Sequence, residues 1–194
     1  MQIFAYFASP PPSLGVTLDT LKTKAFALII SHLYLKIVTS ASESRFCVGN
    51  LVTKLGGNWE EYPCRGDITS YSLENDTTLM IWQNTAWGEQ EGVRRIIEEK
   101  LSSIKVYFQE EEPGCELYAT NSFTHFPERY LLDSYEEPLY FVDIEEAAKC
   151  VADIVGHSVE PSVEAIDLAL DDFLEVQEDN DTWYGFHEFI EDVE

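Results

Sequence analysis

Between residues 91 and 104 the sequence reads EGVRRIIEEKLSSI, with apolar side chains at Val93, Ile96, Ile97 and Leu101. That spacing puts all four on one face of an α-helix and the charges on the other. A helix so divided needs an apolar surface to lie on, and its flanks have strand character. Upstream, DITSYSL and TTLMIWQ enclose ENDT, where Asn75 and Asp76 tolerate the backbone angles of a tight hairpin turn. Downstream, IKVYFQ reads as a strand, EEEPG as a turn and CELYA as another strand. The order β-β-α-β-β predicts an α+β fold, an antiparallel or mixed sheet with a helix packed on one face.

The rest of the chain is assigned around that centre. QIFAYFA at the start reads as a strand, and SPPPS is held extended because consecutive prolines fix φ and donate no hydrogen bond. From Thr17, the positions Leu18, Leu21, Phe26 and Ile29 suit a helix, and LYLKIV a strand. Residues 41–58 end in the turn signal GGN. The last third is expected to be helical. Asp143 and Glu146 form a D-x-x-E capping signature before IEEAAKCVADIV, and Gly156 is a natural stop. A second helix has Pro161 in its first turn and Ile166, Ala169, Leu170 and Phe173 as its apolar stripe, and a third spans about Thr182 to Asp192, with Trp183, Phe186, Phe189 and Ile190 inward. The expected organisation is an α+β body, residues 1–130, with an acidic helical extension, residues 131–194, packed on it, as one domain or two.

Charge is the second constraint. The 194 residues hold 36 Asp and Glu against 12 Lys and Arg, a net charge of −24, while 45% hydrophobic content supplies material for a core. Residues 1–60 carry five cations and three acids, residues 61–130 six and thirteen, and residues 131–194 only Lys149 against twenty acids. Such asymmetry points to a basic partner and away from direct nucleic-acid binding, which requires cations to neutralise phosphates. Self-repulsion on this scale destabilises a compact body.

Other chemistries find little support. Cys47, Cys64, Cys115 and Cys150 are widely spaced, with no CxxC, which suits packed free thiols in a reducing cytoplasm. The run AFALIISHLYLKIV is broken by Ser31, His32 and Lys36 and is too short to span a bilayer. An EF-hand register with Gly185 at the sixth position puts Asn180, Thr182 and Tyr184 at the first three ligand places and Glu191 at the last, which is not a calcium loop. No metal ligand set or cofactor is expected. His32, His125, His157 and His187 are scattered, and no GxSxG, HExxH, GxGxxG or P-loop pattern occurs.

The segments NWEEYPCRGDITSYS, MIWQNTAWGEQEGVRRIIEE and VYFQEEEPGCELYA, over roughly residues 55–122, resemble the YubB-like ferredoxin-like family of plasmid and phage proteins. The likeness is carried by Asn58-Trp59, Thr85-Ala86-Trp87 and Glu112-Pro113-Gly114, in the family's order. It implies a ferredoxin-like fold and a mobile-element setting, in which antagonists of restriction and CRISPR systems are common. It implies no catalytic residues. Trp59, Trp82 and Trp87 are expected to be core aromatics.

The tail ALDDFLEVQEDNDTWYGFHEFIEDVE then supplies the mechanism. Residues three or four apart on a helix are surface neighbours, so Glu164, Asp167, Asp171, Glu175 and Glu178 form one stripe, joined by Asp172, Asp179, Asp181, Glu188, Glu191 and Asp192 as candidate partner-binding residues. The expectation is a non-enzymatic cytoplasmic protein that binds a basic nucleic-acid-binding host protein, a nuclease or a CRISPR or restriction component, as a DNA mimic does. Alternatives are a hydrolase using carboxylates or Cys115, and an oligomerising regulatory subunit. Glu89, Glu91, Glu98 and Glu99 are expected to be ordinary exposed acids.

Overall fold

A computed structural model describes residues 2–8, 49, 52–53, 55–62, 66–75, 78–85, 88–101, 104–177 and 182–192. The SPPPS segment, the helix expected after Thr17, the LYLKIV strand and Trp87 lie outside them. The fold is α+β, and the chain divides into two compact units, Met1–Leu117 and Tyr118–Glu194.

In the first unit the strands are β1 (Gln2–Ala8), β2 (Gly66–Asn75), β3 (Thr78–Thr85) and β4 (Lys105–Glu112), with helix α1 (Glu91–Lys100) between the last two. β2 and β3 form the expected hairpin, closing on the pair Asn75 and Thr78. β1 lies between β3 and β4 and is antiparallel to both, pairing Ile3 with Gln83 and Glu110. β3 and β4 are therefore parallel, joined through α1 across the intervening β1. Val93, Ile96 and Ile97 of α1 are buried with Leu79 and Ile81 of β3, Val106 of β4, Ile104 and Val52, and Leu101 is half-buried at the helix's end. Each fully buried aliphatic side chain stabilises the fold by about 1.5–3 kcal/mol. The GGN turn is present, with Gly56 at φ 83°. Trp59 departs from expectation: it is 58% exposed, not a core residue, and Trp82 is half-buried.

The second unit contains β5 (Leu117–Thr120), β6 (Tyr130–Ser134), β7 (Leu139–Phe141), α2 (Ile144–Val155), α3 (Val163–Val176), β8 (Tyr184–Glu188) and β9 (Ile190–Glu191). β6 is central in an antiparallel sheet with β7 and β8, and β5 pairs in parallel with β9. The α2 boundaries are those read from sequence. Asp143 accepts a hydrogen bond from the Glu146 N–H at 2.9 Å, and Gly156 caps the far end at φ 80°, a conformation that costs glycine little. Pro161 is not in the first turn of α3 as expected but precedes the helix, whose N-cap is Ser162, accepting from the Ala165 N–H. Ala147, Ala148 and Val151 of α2 and Ile166, Ala169 and Leu170 of α3 share a core with Leu132 of β6 and Phe186 of β8.

The last third is thus not wholly helical. Residues 130–134 and 139–141 are strands, and the helix expected over Thr182 to Asp192 is β8 and β9. The spacing of Trp183, Phe186 and Phe189 fits a helix, but Tyr184 and Phe186 fit the alternating period of a strand equally well. Aromatic residues and Gly185 favour the strand, and β6 offers a partner whose Leu132 faces Phe186. Phe186 and Phe189 are buried as expected, while Trp183 and Ile190 are exposed.

Candidate functional site

α3 sorts its side chains by helical period. Ile166, Ala169 and Leu170 face the core, and Phe173, half-buried, stands 6.3 Å from the Tyr184 ring. The remaining turns carry Glu164, Asp167, Asp171, Asp172 and Glu175, all exposed except Asp167, which is half-buried. Burial first, then the charges of Asp171 and then Glu164, raise the Asp167 pKa above the ordinary aspartate value. The three carboxylates therefore share one field, as the three- and four-residue spacing requires. Among the described residues none of the five is within ion-pair distance of a Lys or Arg.

The placement does not favour the helix itself. Its last turn holds no basic residue, so Glu175 lies at the end where the backbone dipole is negative, at a cost of about 0.3–1 kcal/mol. The acids of α1 behave differently. Glu91 pairs with Arg95 at 3.4 Å, Glu98 accepts from the Val106 N–H at 3.0 Å and lies 3.7 Å from Lys105, and Glu99 accepts from the Tyr62 hydroxyl at 3.3 Å. Glu89 is not an ordinary exposed acid, because it is largely buried in a 3.0 Å pair with Arg94.

Of the other candidate partner-binding residues, Glu188, Glu191 and Asp192 are exposed but lie on or beside strands, so they do not continue the α3 stripe. Glu191 accepts from the Phe123 N–H at 3.4 Å, and the Asp192 N–H donates to the Thr120 carbonyl at 2.8 Å. Glu178, Asp179 and Asp181 lie outside the described residues.

Catalytic and metal chemistry has fewer footholds. Among the described residues no group of three His, Cys, Asp or Glu could hold a metal ion. Cys115 is exposed at the end of a short 3-10 turn, Pro113–Cys115, and Cys150 is half-buried, its thiol pushed up by burial and by Asp153. No catalytic motif marks His125 and Ser122, yet the His125 Nδ1 lies 2.8 Å from the Ser122 hydroxyl. Burial lowers the His125 pKa below the ordinary histidine value, which favours the neutral ring. Both residues belong to one turn, in which the N–H groups of His125 and Phe126 donate to the Ser122 carbonyl, and Ser122 is buried.

Two exposed features also escaped the sequence reading. Leu168 is 62% exposed within the acidic face of α3, and Tyr135 and Trp183 form a ring pair at the surface. An apolar residue among acids on a helix looks inward-facing until the other stripe is known to fill the core. Among the described residues no helix is long and apolar enough to cross a membrane. In comparison with known proteins, the chain matches no family model, no curated protein and no solved structure.

Proposed function

We propose that this protein is a non-enzymatic acidic inhibitor that occupies the nucleic-acid-binding groove of a basic host protein. The observation that carries the reading is the row of carboxylates on α3, none of which pairs with a Lys or Arg among the described residues. From Glu164 to Glu175 the helix rises about 16 Å at 1.5 Å per residue. Over that length one DNA strand presents roughly five phosphates at 3.4 Å each, against five acids on the helix. The helix is anchored through Ile166, Ala169 and Leu170, so the charges sit on a fixed backbone and not on a flexible tail. A groove lined by Lys and Arg releases its counterions to such a surface much as it does to DNA.

The setting rests on the resemblance of residues 55–122 to YubB-like proteins. The first unit's parallel β3 and β4 flanking β1, with α1 between them, supports a ferredoxin-like assignment. A mobile-element protein of this kind would act in the host cytoplasm against a restriction or CRISPR component. The test is positional: neutralising Asp167, Asp171 and Glu175 abolishes inhibition and partner capture, while neutralising three acids elsewhere does not.

The Ser122 and His125 contact favours a second reading, a hydrolase in which a neutral imidazole serves as base for the hydroxyl. Its serine is buried in a turn that uses the same two residues to hold its own shape. Loss of biological activity in folded Ser122→Ala, with partner capture intact, would put the enzyme first.

A further inference from the structure

β6 and β8 pair up to Ser134 and Tyr184, and the next residue on each strand, Tyr135 and Trp183, places an aromatic ring beyond the ladder. The rings meet at 6.1 Å between centroids with planes 67° apart, so they form two walls of a corner. Tyr135 is 71% exposed and Trp183 40%, which leaves the corner open to solvent. Trp183 folds back along β8: a Cβ on Gly185 would lie 3.5 Å from its ring and 2.9 Å from His187 Nε2. Asp133 pairs with Gly185 across the strands, two residues from Tyr135 on one side and from Trp183 on the other. Exposed Glu136 and Glu137 follow Tyr135 directly. The edge-to-face pair therefore leaves exposed aromatic π-surface beside nearby carboxylates, the surroundings that favour a flat cation.

The fold already uses such contacts internally. The Arg129 guanidinium lies 4.4 Å from the Phe123 ring centre, and that of Arg94 lies 5.5 Å from the Phe108 ring centre. Beyond Arg129 the chain has a single cation, Lys149 on α2, and no arginine at all. With Arg129 engaged, the second unit has no guanidinium of its own to offer the corner. We propose that Tyr135 and Trp183, with Asp133, form a seat for an arginine side chain of a basic partner protein. This rests on the reading of the partner as basic, and adds a point of specific contact that phosphate mimicry alone does not supply. An arginine that contacts bases or phosphates in the partner's groove is chemically suited to it, since the guanidinium plane stacks while its N–H groups reach a carboxylate.

The test titrates the whole protein with a peptide of alternating Arg and Gly, a Lys-for-Arg counterpart, and a neutral oligosaccharide. The indole N–H resonance of Trp183, identified by its absence from Trp183→Ala, is followed by NMR. The arginine peptide should shift that resonance and bind more tightly than the lysine peptide. Trp183→Ala and Tyr135→Ala should each weaken it roughly two- to fivefold, as expected for an exposed cation–π contact. Tyr135 is 71% exposed and its variant should keep the wild-type melting temperature; Trp183 is 40% exposed, so its variant is compared under conditions where circular dichroism shows it folded. Equal binding to wild type and Trp183→Ala overturns the proposal, as does a Trp183 shift with the oligosaccharide alone, which would make the corner a sugar platform. The α3 variant separates the two claims. Peptide binding weakened by Trp183→Ala but not by the α3 variant supports the seat independently of the helical stripe. The reverse result removes the seat and leaves the stripe standing.

Discussion

The combined variant Asp167→Asn, Asp171→Asn and Glu175→Gln should make the protein more stable and less able to bind its partner. Four like-charge neighbours lie three or four residues apart on α3: Glu164 with Asp167, Asp167 with Asp171, Asp171 with Glu175, and Asp172 with Glu175. Each such pair destabilises a helix by about 0.2–0.5 kcal/mol, and the three substitutions remove all four. Relief of Glu175 from the negative end of the helix dipole adds about 0.3–1 kcal/mol. The sum is roughly 1–3 kcal/mol, which for a chain of this length raises the melting temperature by about 2–12 °C. Thermal unfolding in about 10 mM salt should show the full gain. In 1 M salt, where the Debye length is near 3 Å, most of it should vanish. The matched substitutions Glu91→Gln, Glu98→Gln and Glu99→Gln on α1 should instead cost about 0.5–2 kcal/mol, because those acids have partners in Arg95, Lys105, the Val106 N–H and Tyr62. A low-salt melting temperature that is unchanged or lower in the α3 variant would refute the reasoning, since its carboxylates would then be making stabilising contacts and not held in reserve for a partner.

Three further outcomes are expected. Ile97 is 1% exposed in the α1 core, so Ile97→Asp should cost at least about 4 kcal/mol through a cavity and an unpaired charge; denaturant unfolding that matches wild type would remove the packing of α1 on its sheet. Because its folded pKa is raised, Asp167 favours folding at low pH and loses that contribution as pH rises through the raised value; stability curves of Asp167→Asn and wild type should therefore diverge at neutral pH and converge as pH falls toward 3.8. Cys115→Ser and His125→Ala should keep biological activity in any variant that stays folded, with His125→Ala losing about 1 kcal/mol as its hydrogen bond to Ser122 goes; loss of activity without loss of binding in either would favour a hydrolase.

The parts of the fold that could be read in advance were those where one local signal had no rival. Val93, Ile96 and Ile97 have no strand-like alternation, and Asp143 with Gly156 brackets α2 by backbone chemistry alone. The segment from Thr182 to Asp192 failed because its aromatic spacing satisfies two periods at once, and the choice fell to a partner strand, β6, more than forty residues upstream. Trp59 shows a related limit: a large aromatic residue carries no sign of whether a surface is available to cover it. On α3 the order of acids was legible because the apolar stripe fixes which face is left. That Asp167 is half-buried, or that Glu89 is spent on Arg94, depends on neighbours that spacing does not reveal. The Tyr135 and Trp183 corner is formed by residues 48 positions apart in sequence and was invisible for the same reason.

The central claim, that the α3 face takes the place of nucleic acid on a basic protein, is tested most directly by competition. Wild type, the α3 variant and a control of equal charge, Glu60→Gln with Glu61→Gln and Glu116→Gln at exposed positions of the first unit, are immobilised and exposed to host lysate at low salt, with and without added duplex DNA. The account predicts that wild type and the control retain the same basic nucleic-acid-binding protein, that DNA or high salt displaces it, and that the α3 variant does not retain it. Equal retention by all three proteins, or a partner that holds DNA and this protein together, would contradict it.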